Sequence, residues 1–200
     1  IYTLSPHDAL PICSAGVCSN ASNVRISYFD FGSQDGNSST ALLVFNPGHL
    51  IEVDHCKFLV TGHTSSAIIY AQLDGTAYGQ NSFHDNTISM SRYPSGTTGF
   101  GGNGPDGFEI VGSTATTGGF DIYGNNISAY SDATWNGNQH QDGWQGSQGG
   151  YIRIFKNRIT NMTNYGLYAE PNSGSYSNVI IYDNIIVTSA FVGTQGIVAA

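Results

Sequence analysis

Apolar and polar positions alternate in short runs along most of the chain, and the runs resemble one another. The clearest are VRISYFDF (24–31), IEVDHCKF (51–58), NSFHDNTI (81–88), FDIYGNNI (120–127), IRIFKNRI (152–159) and VIIYDNII (179–186). Alternation with a period of two over so few residues predicts β-strands. Self-similarity at roughly 25 to 40 residues predicts a solenoid of stacked coils. Superposed, the runs give an apolar column of Ile26, Val53, Phe83, Ile122, Ile154 and Ile181. A second column is Phe31, Phe58, Ile88, Ile127, Ile159 and Ile186. Between the two lies a bend position holding Phe29, Cys56, Asn86, Asn125, Asn157 and Asn184, where stacked asparagines can bond along the axis. A further motif follows in each repeat: a small residue (Ala41, Ala67, Gly107, Gly143, Gly166, Gly196), then a large apolar one (Leu42, Ile68, Phe108, Trp144, Leu167, Ile197).

Composition excludes several classes. The 26 glycines and the lack of a 3.6-residue period argue against helical repeats. A net charge of -8, with only six Lys and Arg, argues against nucleic acid, which is held through basic phosphate contacts. The same charge repels an anionic polysaccharide overall, unless a cation or a local arginine cluster intervenes. No apolar run is long enough for a membrane-spanning helix, so no membrane insertion is expected. The three cysteines, Cys13, Cys18 and Cys56, make neither a disulfide framework nor a paired zinc motif, and read as free or buried thiols. Residues 1–12, IYTLSPHDALPI, resemble a translated sequencing adapter. That resemblance implies that His7 and Asp8 carry no function and that the true start, with any signal peptide, is missing. Residues 13–23 then read as an irregular lead-in and 24–200 as one domain.

The repeats across 24–200 resemble the right-handed parallel β-helix of the pectate-lyase-like superfamily. The resemblance implies an all-β solenoid of about six coils, truncated at one or both ends, and a secreted or cell-surface protein that binds polysaccharide. Bends of such a solenoid tolerate insertions, and the two longest here run over 93–105 and 130–141. Each leads into the same motif, PDGFEI (105–110) and QDGWQG (141–146). Stacking sets Asp106 beside Asp142, with Ser66 above and Tyr165 below, and Glu109 beside Gln145 and Tyr168. Two carboxylates about 5 Å apart do not both ionise without a partner, so either one pKa rises or a cation sits between them. The first outcome is the acid–base pair of glycoside hydrolysis, and the second is a calcium site. Histidine side chains titrate near neutral pH, which makes His140 a candidate base or proton shuttle, and Trp135, in the long loop, is the candidate to stack on a sugar ring.

The chain is also distantly similar to polygalacturonase-type glycoside hydrolases. Asp106 matches the aspartate before a Gly-apolar strand start, and Asp142 matches one aspartate of the next rung. Tyr165 stands where those enzymes carry histidine, Gln141 replaces one of their doubled aspartates, and QGIVA lacks their Arg-x-Lys clamp. These departures argue against polygalacturonase activity and leave a related carbohydrate site open. The expected function is therefore binding and cleavage of a polysaccharide, by hydrolysis or elimination, with Asp106, Asp142, His140 and Tyr165 carrying the chemistry. Glu109, Gln145, Trp135 and Tyr168 would contact substrate. No cofactor is required, with calcium at Asp106 and Asp142 the one candidate. The alternative is a non-catalytic surface or phage-fibre/adhesin-type β-helix that binds glycan or serves as a structural repeat, in which Asp-Gly is only a turn dipeptide; on either reading the protein is a monomer or a trimer. Trp144 reads as core, Arg153, Lys156 and Arg158 as a solvated face, and His55, His63 and His84 as scattered residues without convergent partners. GGNGPDGFE (101–109) fits one calcium-binding nonapeptide, but a single copy makes no paired site.

Overall fold

The computed structural model describes residues 2–4, 17–35, 43–61, 67–90, 106–129, 141–162, 164–170, 174–187 and 195–199. Among them are no helix and eighteen strands, beginning with β1 (Tyr2–Leu4), β2 (Val17–Ser27), β3 (Asp30–Asp35), β4 (Leu43–Asp54), β5 (Lys57–Thr61) and β6 (Ala67–Leu73). Next come β7 (Asn81–His84), β8 (Thr87–Met90), β9 (Asp106–Gly112), β10 (Phe120–Tyr123), β11 (Asn126–Ala129) and β12 (Trp144–Gly146). The last six are β13 (Gly149–Phe155), β14 (Arg158–Thr160), β15 (Tyr165–Ala169), β16 (Tyr176–Tyr182), β17 (Ile185–Val187) and β18 (Gln195–Ala199).

Every pairing between these strands is parallel. One sheet has six strands, in the order β17-β14-β11-β8-β5-β3. The other has twelve and turns a corner within β4, whose first half pairs with β6 and whose second half pairs with β7. The result is an all-β, parallel, curled arrangement compatible with a solenoid. Val17 to Asn23, expected as lead-in, belong to β2. Tyr2–Leu4 of the adapter-like stretch pairs with β2 at Val24–Ile26.

Both expected apolar columns are in register. Ile26, Val53, Phe83, Ile122, Ile154 and Ile181 are successive partners. Phe58, Ile88, Ile127, Ile159 and Ile186 follow suit, with the Phe31 ring stacked 4.5 Å from Phe58. Between them the asparagines form a continuous ladder. Asn86 Nδ2 donates to Asn125 Oδ1 at 3.0 Å, Asn125 to Asn157 at 2.9 Å and Asn157 to Asn184 at 2.9 Å. Each Oδ1 also accepts the backbone N–H of the preceding coil, down to Cys56 at 2.9 Å. The residue before each ladder position takes left-handed backbone angles: Tyr28, His55, Asp85, Gly124, Lys156 and Asp183 all have φ between 52° and 66°. Cys56 itself is buried, and burial pushes its thiol up to about 11.

The third column needs a correction. Its register is Leu43, Ile69, Phe108, Trp144, Leu167 and Ile197, so the first two members lie one residue later than Leu42 and Ile68. Ala67-Ile68-Ile69 is buried throughout, and a uniformly apolar run gives no alternation by which to choose between adjacent registers. The level of Asp106 is accordingly occupied in the preceding coil by Ala67, not Ser66, which lies outside the described residues with Leu42. The glycine column is required by close approach. A Cβ at Gly107 would lie 2.7 Å from the Gly143 carbonyl, and one at Gly143 would lie 2.5 Å from that of Gly166. Trp144 is core, 1% exposed, and its indole N–H donates to the Ile110 carbonyl at 3.2 Å.

Candidate functional site

Strands β6, β9, β12 and β15 lie side by side, and their odd and even positions face opposite ways. In β9 the positions of Phe108 and Ile110 are buried, and Asp106 shares their side. Asp142 likewise shares the side of Trp144. Both acids therefore face inward at the strand starts, 3% and 0% exposed. Asp106 Oδ1 accepts the Asp142 N–H at 2.6 Å, and Asp142 Oδ1 accepts the Tyr165 N–H at 2.7 Å. The expected stack of Asp106, Asp142 and Tyr165 exists, but as a second axial ladder built from carboxylate-to-amide bonds.

Burial controls the ionisation of this pair. It pushes Asp106 far above the usual carboxylate range, and the neighbouring Asp142 adds to the shift. Asp142 is pushed up to about 7, chiefly by burial, with hydrogen bonds from the Tyr165 amide and the Asn164 side chain opposing and Glu170 reinforcing it. Two adjacent carboxyls, both raised by burial, are the raw material of an acid–base pair, yet both are almost wholly shielded from solvent. Gln141 is also buried, with neither side-chain polar atom hydrogen-bonded.

The outward side of the same strands carries Tyr70, Glu109, Gln145 and Tyr168 in register. Gln145 donates to Glu170 at 2.7 Å, and the Tyr165 and Tyr168 rings stack at 4.4 Å. Burial, and then Glu109, raise the Tyr70 hydroxyl; burial, and then Glu170, raise that of Tyr168. Glu109, Gln145 and Tyr168 thus come together on one half-buried face. His140 and Trp135 lie outside the described residues, as does the stretch before Asp106 in the nonapeptide. Among the described residues, neither Asp106 nor Asp142 belongs to a group of three side chains able to share a metal ion.

The series β2, β4, β7, β10, β13 and β16 carries polar residues that alternation alone does not single out. His55 and His84 are not scattered: their ring centroids lie 6.1 Å apart. His55 Nδ1 lies 2.8 Å from Asp54 Oδ2, and His84 lies between Glu52 Oε1 at 3.2 Å and Asp85 Oδ2 at 2.9 Å. Arg25 holds Asp54 through Nε at 3.0 Å and a terminal nitrogen at 2.9 Å. Burial alone would raise Asp54, but hydrogen bonds from Arg25, His55 and Ser27 outweigh it and leave the acid at about 2. Arg153 does not form an open solvated face, because it makes two bonds to Asp121 and lies 5.2 Å from the Tyr78 ring. Beside these runs a stack of His84, Tyr123, Phe155 and Tyr182, with rings 4.6 to 4.9 Å apart. Such rings cover one another's faces and present edges to solvent, so the stack is an axial ladder more than a sugar platform.

Compared with family models, curated proteins and solved structures, the chain finds no match.

Proposed function

We propose that the protein is an extracellular right-handed parallel β-helix of the pectate-lyase-like plan that binds a polysaccharide. The observation that carries this reading is the outward row of Tyr70, Glu109, Gln145 and Tyr168 on adjacent, hydrogen-bonded strands, with Glu170 bonded to Gln145. Neighbouring parallel strands repeat every 4.8 Å or so, which gives a regular line of aromatic surface and hydroxyl-binding groups along the axis. The carboxylates on this face and the net charge of -8 favour a neutral glycan over a polyuronate. Parallel pairing of each strand with its equivalent one repeat later supports the β-helix plan.

Binding is favoured over cleavage by Asp106 and Asp142, because each commits an oxygen to a backbone amide and is buried. A cleaving version of the site would have to use Glu109 or Glu170 instead. Affinity electrophoresis through gels containing neutral or acidic polysaccharides, with a parallel assay for new reducing ends, tests the reading. Retardation by a neutral glycan is expected, weakened about tenfold or more by Gln145→Ala with Tyr168→Ala, with no reducing ends released. Retardation unchanged in that double variant would place binding elsewhere.

A further inference from the structure

We propose that His55, His84 and Asp85 bind a divalent transition ion, with Zn²⁺ the best match. One potential ligand atom of each lies within 4.8 Å of those of the other two. Two imidazoles and a carboxylate suit zinc better than calcium or magnesium, which prefer oxygen alone.

Hydrogen bonding around the two rings supports this assignment. Asp54 already receives bonds from Arg25 and Ser27, and its carboxylate faces His55 Nδ1 at 2.8 Å. His55 therefore donates from Nδ1, which leaves the lone pair on Nε2. His84 Nε2 faces Glu52 Oε1 at 3.2 Å. His84 Nδ1 in turn lies 2.9 Å from Asp85 Oδ2, so the ring stands between two carboxylates. A neutral imidazole can donate to only one of these two carboxylates, and a metal ion at Nδ1 would take the place of the second proton. Each histidine thus has an outer carboxylate on its non-ligating nitrogen, the arrangement that orients metal-binding imidazoles. Zinc bonds of about 2.0 to 2.2 Å place tetrahedral ligand atoms roughly 3.4 Å apart, so the His84–Asp85 contact opens by about half an ångström on binding.

The frame is prepared for this. His55 stacks on Tyr28 at 4.8 Å and His84 on Tyr123 at 4.6 Å, which fixes both rings. His55 and Asp85 occupy the equivalent left-handed turn position of adjacent coils, so the stacking of coils itself brings them together. His55 and Asp85 side chains are 42% and 46% exposed, giving an ion an entry path and leaving its fourth position to water.

Titration calorimetry of the chelator-treated protein with ZnCl₂, and separately CaCl₂, tests the site. One zinc ion per chain is expected, with calcium binding much weaker. The double variant His55→Gln with Asp85→Asn should lose at least tenfold in zinc affinity, and His49→Gln should not. Equal zinc binding by the double variant overturns the proposal. In the wild-type protein, which needs no altered fold, zinc should shift the imidazole NMR resonances of His55 and His84 but not of His49. Unmoved His55 and His84 resonances at saturating zinc would also overturn it.

Discussion

At Asp142, burial and hydrogen bonding act in opposite directions, and burial wins. The unfolded chain loses this proton near pH 3.8, whereas the fold keeps it to about pH 7. Between those values the folded state binds more protons than the unfolded state, so stability falls as pH rises through the window. Asp106 is raised for the same reason and adds to the slope. Asp142→Asn removes one titrating group while keeping an oxygen for the Tyr165 amide, and the Asn164 amide can turn to suit it. The variant should therefore melt close to wild type near pH 4.5 and clearly higher at pH 8.5. The gain there is a few kcal/mol at most, since a tenfold change in proton affinity between the two states corresponds to about 1.4 kcal/mol. Thermal melts across that range decide the matter; parallel curves for the two proteins would mean that Asp142 ionises as freely in the fold as outside it.

The asparagine ladder binds successive coils together, and its interior and end members differ in what they hold. Asn125 donates to the Phe83 and Tyr123 carbonyls and to Asn157, and it accepts from the amide and side chain of Asn86. Asn125→Ala would strand several buried polar groups, and we expect a loss of roughly 2 to 4 kcal/mol. Asn184 sits at the end of the described ladder and donates to the Ile154 and Tyr182 carbonyls in a more open setting. Asn184→Ala should cost about 1 kcal/mol. Urea midpoints of the two variants check the ordering, and equal losses would show that the ladder does not act cooperatively. These columns were legible in the sequence because apolar alternation and the asparagine spacing repeat with fixed phase. The Leu43–Ile69 register was not, because an all-apolar run carries no phase. Stacking of Asp106 on Asp142 was also legible from the shared Asp-Gly motif, whereas its inward direction depended on which alternate face the strand buries. The His55, His84 and Asp85 cluster was missed because its histidines lie 29 positions apart and at different levels of their coils. Only the coil-to-coil offset, read at the outward positions as well as the inward ones, would have found it.

Across the whole molecule, each internal coil covers its neighbours, and a terminal strand series has a neighbour on one side only. Among the described residues, β16, β17 and β18 each pair with a single strand. There Val179 and Ile197, whose partners Ile152 and Leu167 in the preceding coil are buried, are 37% and 54% exposed, and Ile180, Tyr182, Ile185 and Val187 add an exposed apolar surface at outward positions in register with Arg153, Phe155, Arg158 and Thr160. An edge with unpaired amides and carbonyls beside an apolar surface is a template for pairing with another chain. Charge opposes this only weakly here, because the edge strands β16 and β17 carry no Asp, Glu, Lys or Arg. The 200-residue chain should therefore associate as its concentration rises, and the association should persist in high salt, because its driving force is apolar and not ionic. Ile185→Lys with Val187→Lys places two charges on the exposed side of β17 while leaving the inward Ile186 in its column. That pair should shift sedimentation toward the monomer without lowering the melting temperature by more than a few degrees. A wild-type chain that sediments as a monomer from micromolar to hundreds of micromolar would show that this edge is already protected.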